Sequence, residues 1–252
     1  MKKVGILAVL AVCMVPLLVA PGCKKGKQES RVESHMQEML KRSFEESKKA
    51  VAVKVNGEPV TMYALLREMN AIGPQYLAAG AQKTPELDEK VRADALRNVI
   101  FQTLGVQEAK KRGMQVKPET LDENVKKAKA GFGSEDAYRK YLADNSMSDE
   151  EFRKSVEQDT LFEMIAAQEV DAKVAVTEAA VRQRYNKEKT ALKDANHKQM
   201  TFEAAKGMIE QKLRAEASEK RMRAWEQELR KNAKIEIVDK KLETALANKK
   251  QK

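Results

Sequence analysis

Cys13, Cys23, His35 and His197 are the only thiols and imidazoles among the 252 residues. A structural zinc site needs about four such ligands close together, and the two histidines stand 162 positions apart. No metal site is therefore expected. Gly131-Phe132-Gly133 resembles part of a dinucleotide-binding glycine fingerprint. Asp136 occupies the place of its third glycine, and the residues before it read as helix rather than strand, so the phosphate-cradling turn is missing. Glu150 and Glu151 are adjacent carboxylates, but Ser148 three positions before Glu151 makes a capping box, the chemistry of a helix start rather than of an acid/base pair. No nucleophile constellation is present. Catalytic residues and cofactors are both expected to be none.

Cys23 is the exception. Lys2 and Lys3 precede an apolar run, Ile6 to Ala20, which at about 15 residues is short for a membrane span of about 20. The run ends in Val19-Ala20-Pro21-Gly22-Cys23, small residues before a cysteine. This resembles a bacterial lipoprotein signal, in which residues 1–22 are removed and Cys23 carries lipid. An ordinary secretory signal and an uncleaved anchor are the alternatives. Under the lipoprotein reading Cys13 leaves with the signal, and no thiol remains for a disulfide. Lys24 follows the cysteine where some Gram-negative lipoproteins carry an inner-membrane retention aspartate, which favours the outer membrane.

The formal charge is +10, or +8 once Lys2 and Lys3 are gone. Nucleic acid is not the expected partner of a chain outside the cytoplasm. Anionic headgroups, wall polymers and acidic polypeptide segments fit better. Lys24, Lys25, Lys27 and Arg31 would add surface attraction to a lipid anchor, or simply solvate a tether.

The elements that must position any site are helices. Glycine and proline together make up 17 residues and aromatics only 12, too few breakers and rings for a loop-rich β protein. Residues 23–50 read as a tether with an amphipathic helix on which Val32, Met36, Met39, Leu40 and Phe44 recur. Val51–Val55 alternates as a strand, and Asn56-Gly57 turns it into a hairpin whose second strand holds Pro59 and so belongs at an edge. Helices then start at Thr61, Thr84, Pro118, Ser134, Ser148, Thr177 and Thr201, each at a cap or an N-terminal proline. The first ends near Gly73-Pro74 or runs irregularly to Gly80. The last runs about 30 residues to near Asn232, and Ile235–Val238 returns to strand alternation. A lone short strand is unstable, so it is expected to pair with the hairpin. Residues 241 onward read as a frayed basic tail.

The order of these segments resembles the N-terminal chaperone module of SurA-like proteins. The matching stretches are Val53-Lys54-Val55-Asn56-Gly57-Glu58-Pro59-Val60-Thr61, Ala109-Lys110-Lys111-Arg112-Gly113-Met114-Gln115-Val116, Met147-Ser148-Asp149-Glu150-Glu151-Phe152-Arg153, Val174-Ala175-Val176-Thr177-Glu178, and Trp225 to Val238. The resemblance implies a mainly α fold, a SurA-like, trigger-factor C-terminal-like helical domain with a small antiparallel β element from an N-terminal hairpin and a C-terminal strand. It implies a module over 51–186, completed by a returning helix and strand over 201–239, before a basic tail over 240–252. Many members insert a parvulin prolyl isomerase domain of about 90 to 100 residues between the short helix and the long one. Here only 187–200 occupies that place, and His197 is the one histidine near it. Isomerase activity by that mechanism is not expected, and the chain is not read as an enzyme.

The resemblance further implies an ATP-independent holdase or folding factor for unfolded secreted or outer-membrane polypeptides. The place implied is the cell envelope, lipid-anchored and facing the periplasm or the outside of the plasma membrane. A prolyl isomerase-family protein with residual foldase activity and a partner-specific accessory lipoprotein are the alternatives. The ten methionines remaining after Met1 and Met14 suit an accommodating apolar surface, and equally suit helix cores. Candidate client-binding residues are Met62, Met69, Tyr76, Met114, Phe132, Tyr138, Tyr141, Phe162 and Trp225, although Phe162 and Trp225, at helical spacing, read first as core and only second as groove lining.

Overall fold

The computed structural model describes residues 38–39, 42–193 and 198–242. The signal and lipidation site at residues 1–23, Val32, Met36, Leu40, both histidines and the tail from 243 lie outside the described residues. Helix α1 covers residues 42–49. Strands β1 (Val51–Val55) and β2 (Glu58–Thr61) form the hairpin, with Asn56 at φ 53° and Gly57 at φ 86°, the left-handed pair its tight turn requires. The helices follow as α2 (Met62–Ala78), α3 (Pro85–Lys111), α4 (Pro118–Ala130), α5 (Glu135–Asp144), α6 (Asp149–Glu169), α7 (Glu178–Glu188) and α8 (Phe202–Lys231), and β3 (Ile235–Ile237) ends the series.

Side-chain oxygens of Thr61, Thr84, Ser134, Ser148, Thr177 and Thr201 accept N–H bonds from the first turns of α2, α3, α5, α6, α7 and α8. Ser148 and Glu151 close the capping box reciprocally. Helix α2 does not stop at Gly73-Pro74. It carries Pro74 inside and continues to Ala78, despite the ~3 kcal/mol that an interior proline costs. Gly73 faces Val91 on α3, and Leu65, Met69 and Ile72 belong to the same apolar cluster as α3, so packing holds the helix through the break.

The sheet order is β2-β1-β3, all antiparallel, with Val53 opposite Ile237. The end of the chain thus closes the domain that the hairpin opens, and Pro59 lies on an edge strand. Its inner face, with Val53 and Val55 fully buried, packs on Leu65 of α2 and Leu96, Ile100 and Leu104 of α3. The basic tail begins later than expected: residues 240–242 form a 3-10 turn, and Leu242 is only 3% exposed within this core. Burial of one leucine side chain, worth about 2 kcal/mol, outweighs the fraying tendency of its charged neighbours.

Three further clusters complete the interior. One joins α4, α5 and the start of α6 through Leu121, Tyr138, Leu142, Phe152 and Val156. Another joins α3, α6 and α8 through Val106, Leu161, Ile165 and Trp225. A small one, Val181, Ala205 and Ile209, binds α7 to the first part of α8. At 30 residues α8 is about 45 Å long, and it links this arm to the main body. The α7–α8 connection is short, tied by a bridge between Lys193 and Gln199 and by the Met200 N–H donating to the Leu192 carbonyl at 2.9 Å.

Candidate functional site

Helices α2 and α6 both pack on α3, and the groove between them over α3 is the candidate cleft. Asn98 and Gln102 stand one turn apart on α3, and each amide reaches a different wall. Asn98 Nδ2 donates to Glu68 Oε1 of α2 at 2.7 Å, and Gln102 Nε2 donates to Asp159 Oδ1 of α6. The walls come together at Tyr63, which leaves α2 to pack with Phe152 and Val156 of α6 and donates its hydroxyl to the Asn145 carbonyl at 3.0 Å. Burial pushes the Tyr63 phenol up to about 12, so it stays a neutral donor.

Phe101 lies beside Gln102 and Phe162 one turn beyond Asp159. Both rings are half-buried, meeting edge to face with centroids 5.2 Å apart, and Trp225 of α8 backs both at 5.2 and 5.8 Å. Gly105 permits this approach: a Cβ there would lie 2.6 Å from the Phe162 ring. Asp159 and Glu163 keep open surface. Desolvation by the surrounding protein nevertheless raises the Asp159 carboxyl above its ordinary range, with Arg67 and Gln102 opposing and Glu163 and Glu68 adding to the rise.

Below the cleft, Glu169 ties the three helices. Its carboxylate accepts from Arg112 of α3 at 2.7 Å, from Arg221 of α8 at 3.2 Å and from Lys173. The Lys173 ammonium is the largest cause of a Glu169 pKa near 2, with Arg112 acting in the same direction against desolvation. This hub holds α8 against Phe162.

The nine candidate residues drawn from sequence do not converge. Phe162 lines the cleft. Trp225 is 2% exposed and Tyr138 1%, so both are core, because each ring is enclosed by other aromatics. Phe132 and Tyr141 are half-buried together at the α4–α5 end, centroids 4.8 Å apart. Met62 and Met69 pack on the sheet core and Met114 on the α3–α6–α8 cluster. Tyr76 lies at the far end of α2, bonded to Asp94 and to Lys90. Sequence reasoning missed Arg67, Glu68, Asn98, Phe101, Gln102, Asp159 and Glu163. Asn98 and Gln102 at i, i+4 on a helix otherwise read by its apolar stripe were the available signal.

Among the described residues no group of His, Cys, Asp and Glu could hold a metal ion, and no helix is long and apolar enough to cross a membrane. Two open depressions run along single helices, one beside Glu216, Lys220 and Arg223, the other beside Glu38, Arg42 and Lys49, and neither lies over α3. Neither is enclosed.

The family model for the SurA-like N-terminal domain matches residues 1–166, a stretch that includes the cleft's floor and the wall residues of α2 and α6. No curated protein matches the chain. A solved structure described under two structurally related SurA-like chaperones of the human pathogen Campylobacter jejuni, the virulence factor PEB4 and the periplasmic protein Cj1289, is similar over 75% of this chain and 99% of its own. The identity is 15% and the TM-score 0.47.

Proposed function

The chain belongs to the SurA-like N-terminal domain family, and from that premise we propose that it is an ATP-independent chaperone of the cell envelope that holds unfolded secreted or outer-membrane polypeptides. The observation that carries the reading is the cleft over α3, where the half-buried rings of Phe101 and Phe162 adjoin the amides of Asn98 and Gln102. Rings bury client side chains at about 25 cal/mol per Å². Side-chain amides both donate and accept, so they can serve the exposed backbone of an extended segment. Such a surface discriminates weakly between sequences, which a general holdase needs, and with no nucleotide cycle to drive release the binding is weak and rapidly reversible.

The protein is not a prolyl isomerase in this reading. Between α7 and α8 there is only the short tied connection where relatives with a parvulin domain would insert it. Residues 1–22 act as a lipoprotein signal, and Cys23 anchors the mature chain to the membrane. Replacing Cys23→Ser should then release the protein from membranes; unchanged association would leave an uncleaved anchor or attachment through another protein.

The test of function is light scattering by an unfolded outer-membrane protein diluted from urea, with and without the purified chain. Suppression near equimolar ratio without ATP is expected, with no acceleration of a proline-limited refolding reaction. Proline-dependent turnover would overturn the reading. Failure to protect any of several clients would favour a partner-specific accessory lipoprotein instead.

A further inference from the structure

We propose that the cleft over α3 selects, within unfolded chains, apolar segments that carry a lysine or arginine next to an aromatic or aliphatic residue. The proposal deepens the chaperone reading and rests on it. Two observations meet here. The half-buried Phe101 and Phe162 offer apolar contact and, to a cation, ring faces that attract it by about 0.5–2 kcal/mol in general. Around them stand Glu68 on one wall and Asp159 and Glu163 on the other, against Arg67.

Neither Asp159 nor Glu163 forms an ion pair among the described residues, and the hydrogen-bond partner of Asp159 is the neutral amide of Gln102. The exposed Asp159 carboxylate, bonded to a neutral amide, gains when a client cation arrives beside it, although Arg67 already supplies part of that charge. Net charge points the other way. At +10 the whole chain attracts acidic partners, but charges more than about 8–10 Å from a docked segment are largely screened at physiological salt. Long-range charge then governs approach, and the cleft's own carboxylates govern what stays.

The test uses the full chain and two labelled 12-residue peptides of identical Leu and Phe content, one with lysines and one with glutamates between them, titrated by fluorescence anisotropy at physiological salt. The lysine peptide should bind about fivefold tighter or more, the scale of one partly exposed ion pair. In Asp159→Asn/Glu163→Gln that ratio should fall to about one, with the thermal midpoint unchanged, since both side chains are accessible. Phe101→Ala should weaken both peptides, and Glu203→Gln, at the distant start of α8, should leave the ratio intact. Equal affinities, or a preference for the glutamate peptide, would overturn the charge selection. If neither peptide binds while aggregation is still suppressed, the chaperone reading stands and the cleft is not its site. A lysine preference seen only after removal of residues 243–252 would assign the cleft to the chain's own basic tail and overturn the proposal.

Discussion

Glu169 and Gly105 carry consequences out of proportion to their size. Glu169 is 7% exposed and faces Arg112, Lys173 and Arg221. Replacing Glu169→Gln should lower stability by about 2 kcal/mol at pH 7, the linkage value for such a shift discounted because Lys173 is half in solvent. Its folded pKa, near 2, lies below the ordinary 4.5, so the contribution is complete above about pH 4.5 and is lost as pH falls through 2. Urea midpoints of the two proteins should therefore converge in acid, and a gap persisting at pH 2 would contradict the hub. Gly105→Ala sets two effects against each other. Alanine favours a helix interior by about 1 kcal/mol, but its Cβ meets the Phe162 ring, and overpacking costs about 1–3 kcal/mol. A net loss of about 1 kcal/mol is expected, with altered fluorescence from Trp225, the single tryptophan. Neither residue was legible beforehand. Glu169 takes its meaning from partners 57 positions back and 52 ahead, and a mid-helix glycine shows no close approach until the facing ring is known.

Element by element, the chain was far more readable, because caps and turns are local chemistry. Asn56-Gly57, the Ser148–Glu151 box and the threonine caps act over two to four residues, and each marks a boundary that the structure keeps. The pairing of β3 with β1 was also legible, since a short strand at the chain's end had one partner of its own kind. Removing residues 234–252 should expose the far edge of β1 and take Leu242 from the core. Amide exchange across Val51–Val55 should then rise while α3 retains protection, and unchanged exchange would contradict the sheet order. Of the two ends read for α2, the structure keeps the one beyond Pro74, and the one element-level reading that failed is the tail: Lys240–Leu242 did not fray, and at both places tertiary burial overrode local propensity.

For the whole molecule, the sequence carried the family order and the mainly helical architecture, but the cleft arises only when α2, α6 and α8 gather around α3. Its polar residues come from positions 67 to 163 and follow no apolar period, so a search for exposed aromatics and methionines gathered core rings such as Tyr138 and Trp225 instead. The claim that this surface holds unfolded chains is tested most directly by placing a photo-crosslinking residue at position 102, with a second protein labelled at 203 as the outward control. Irradiated with an urea-unfolded outer-membrane protein and no ATP, the chain labelled at Gln102 should form client adducts that the chain labelled at Glu203 does not, and folded client should abolish them. Equal crosslinking from both positions, or none from 102 under conditions that suppress aggregation, would contradict the account.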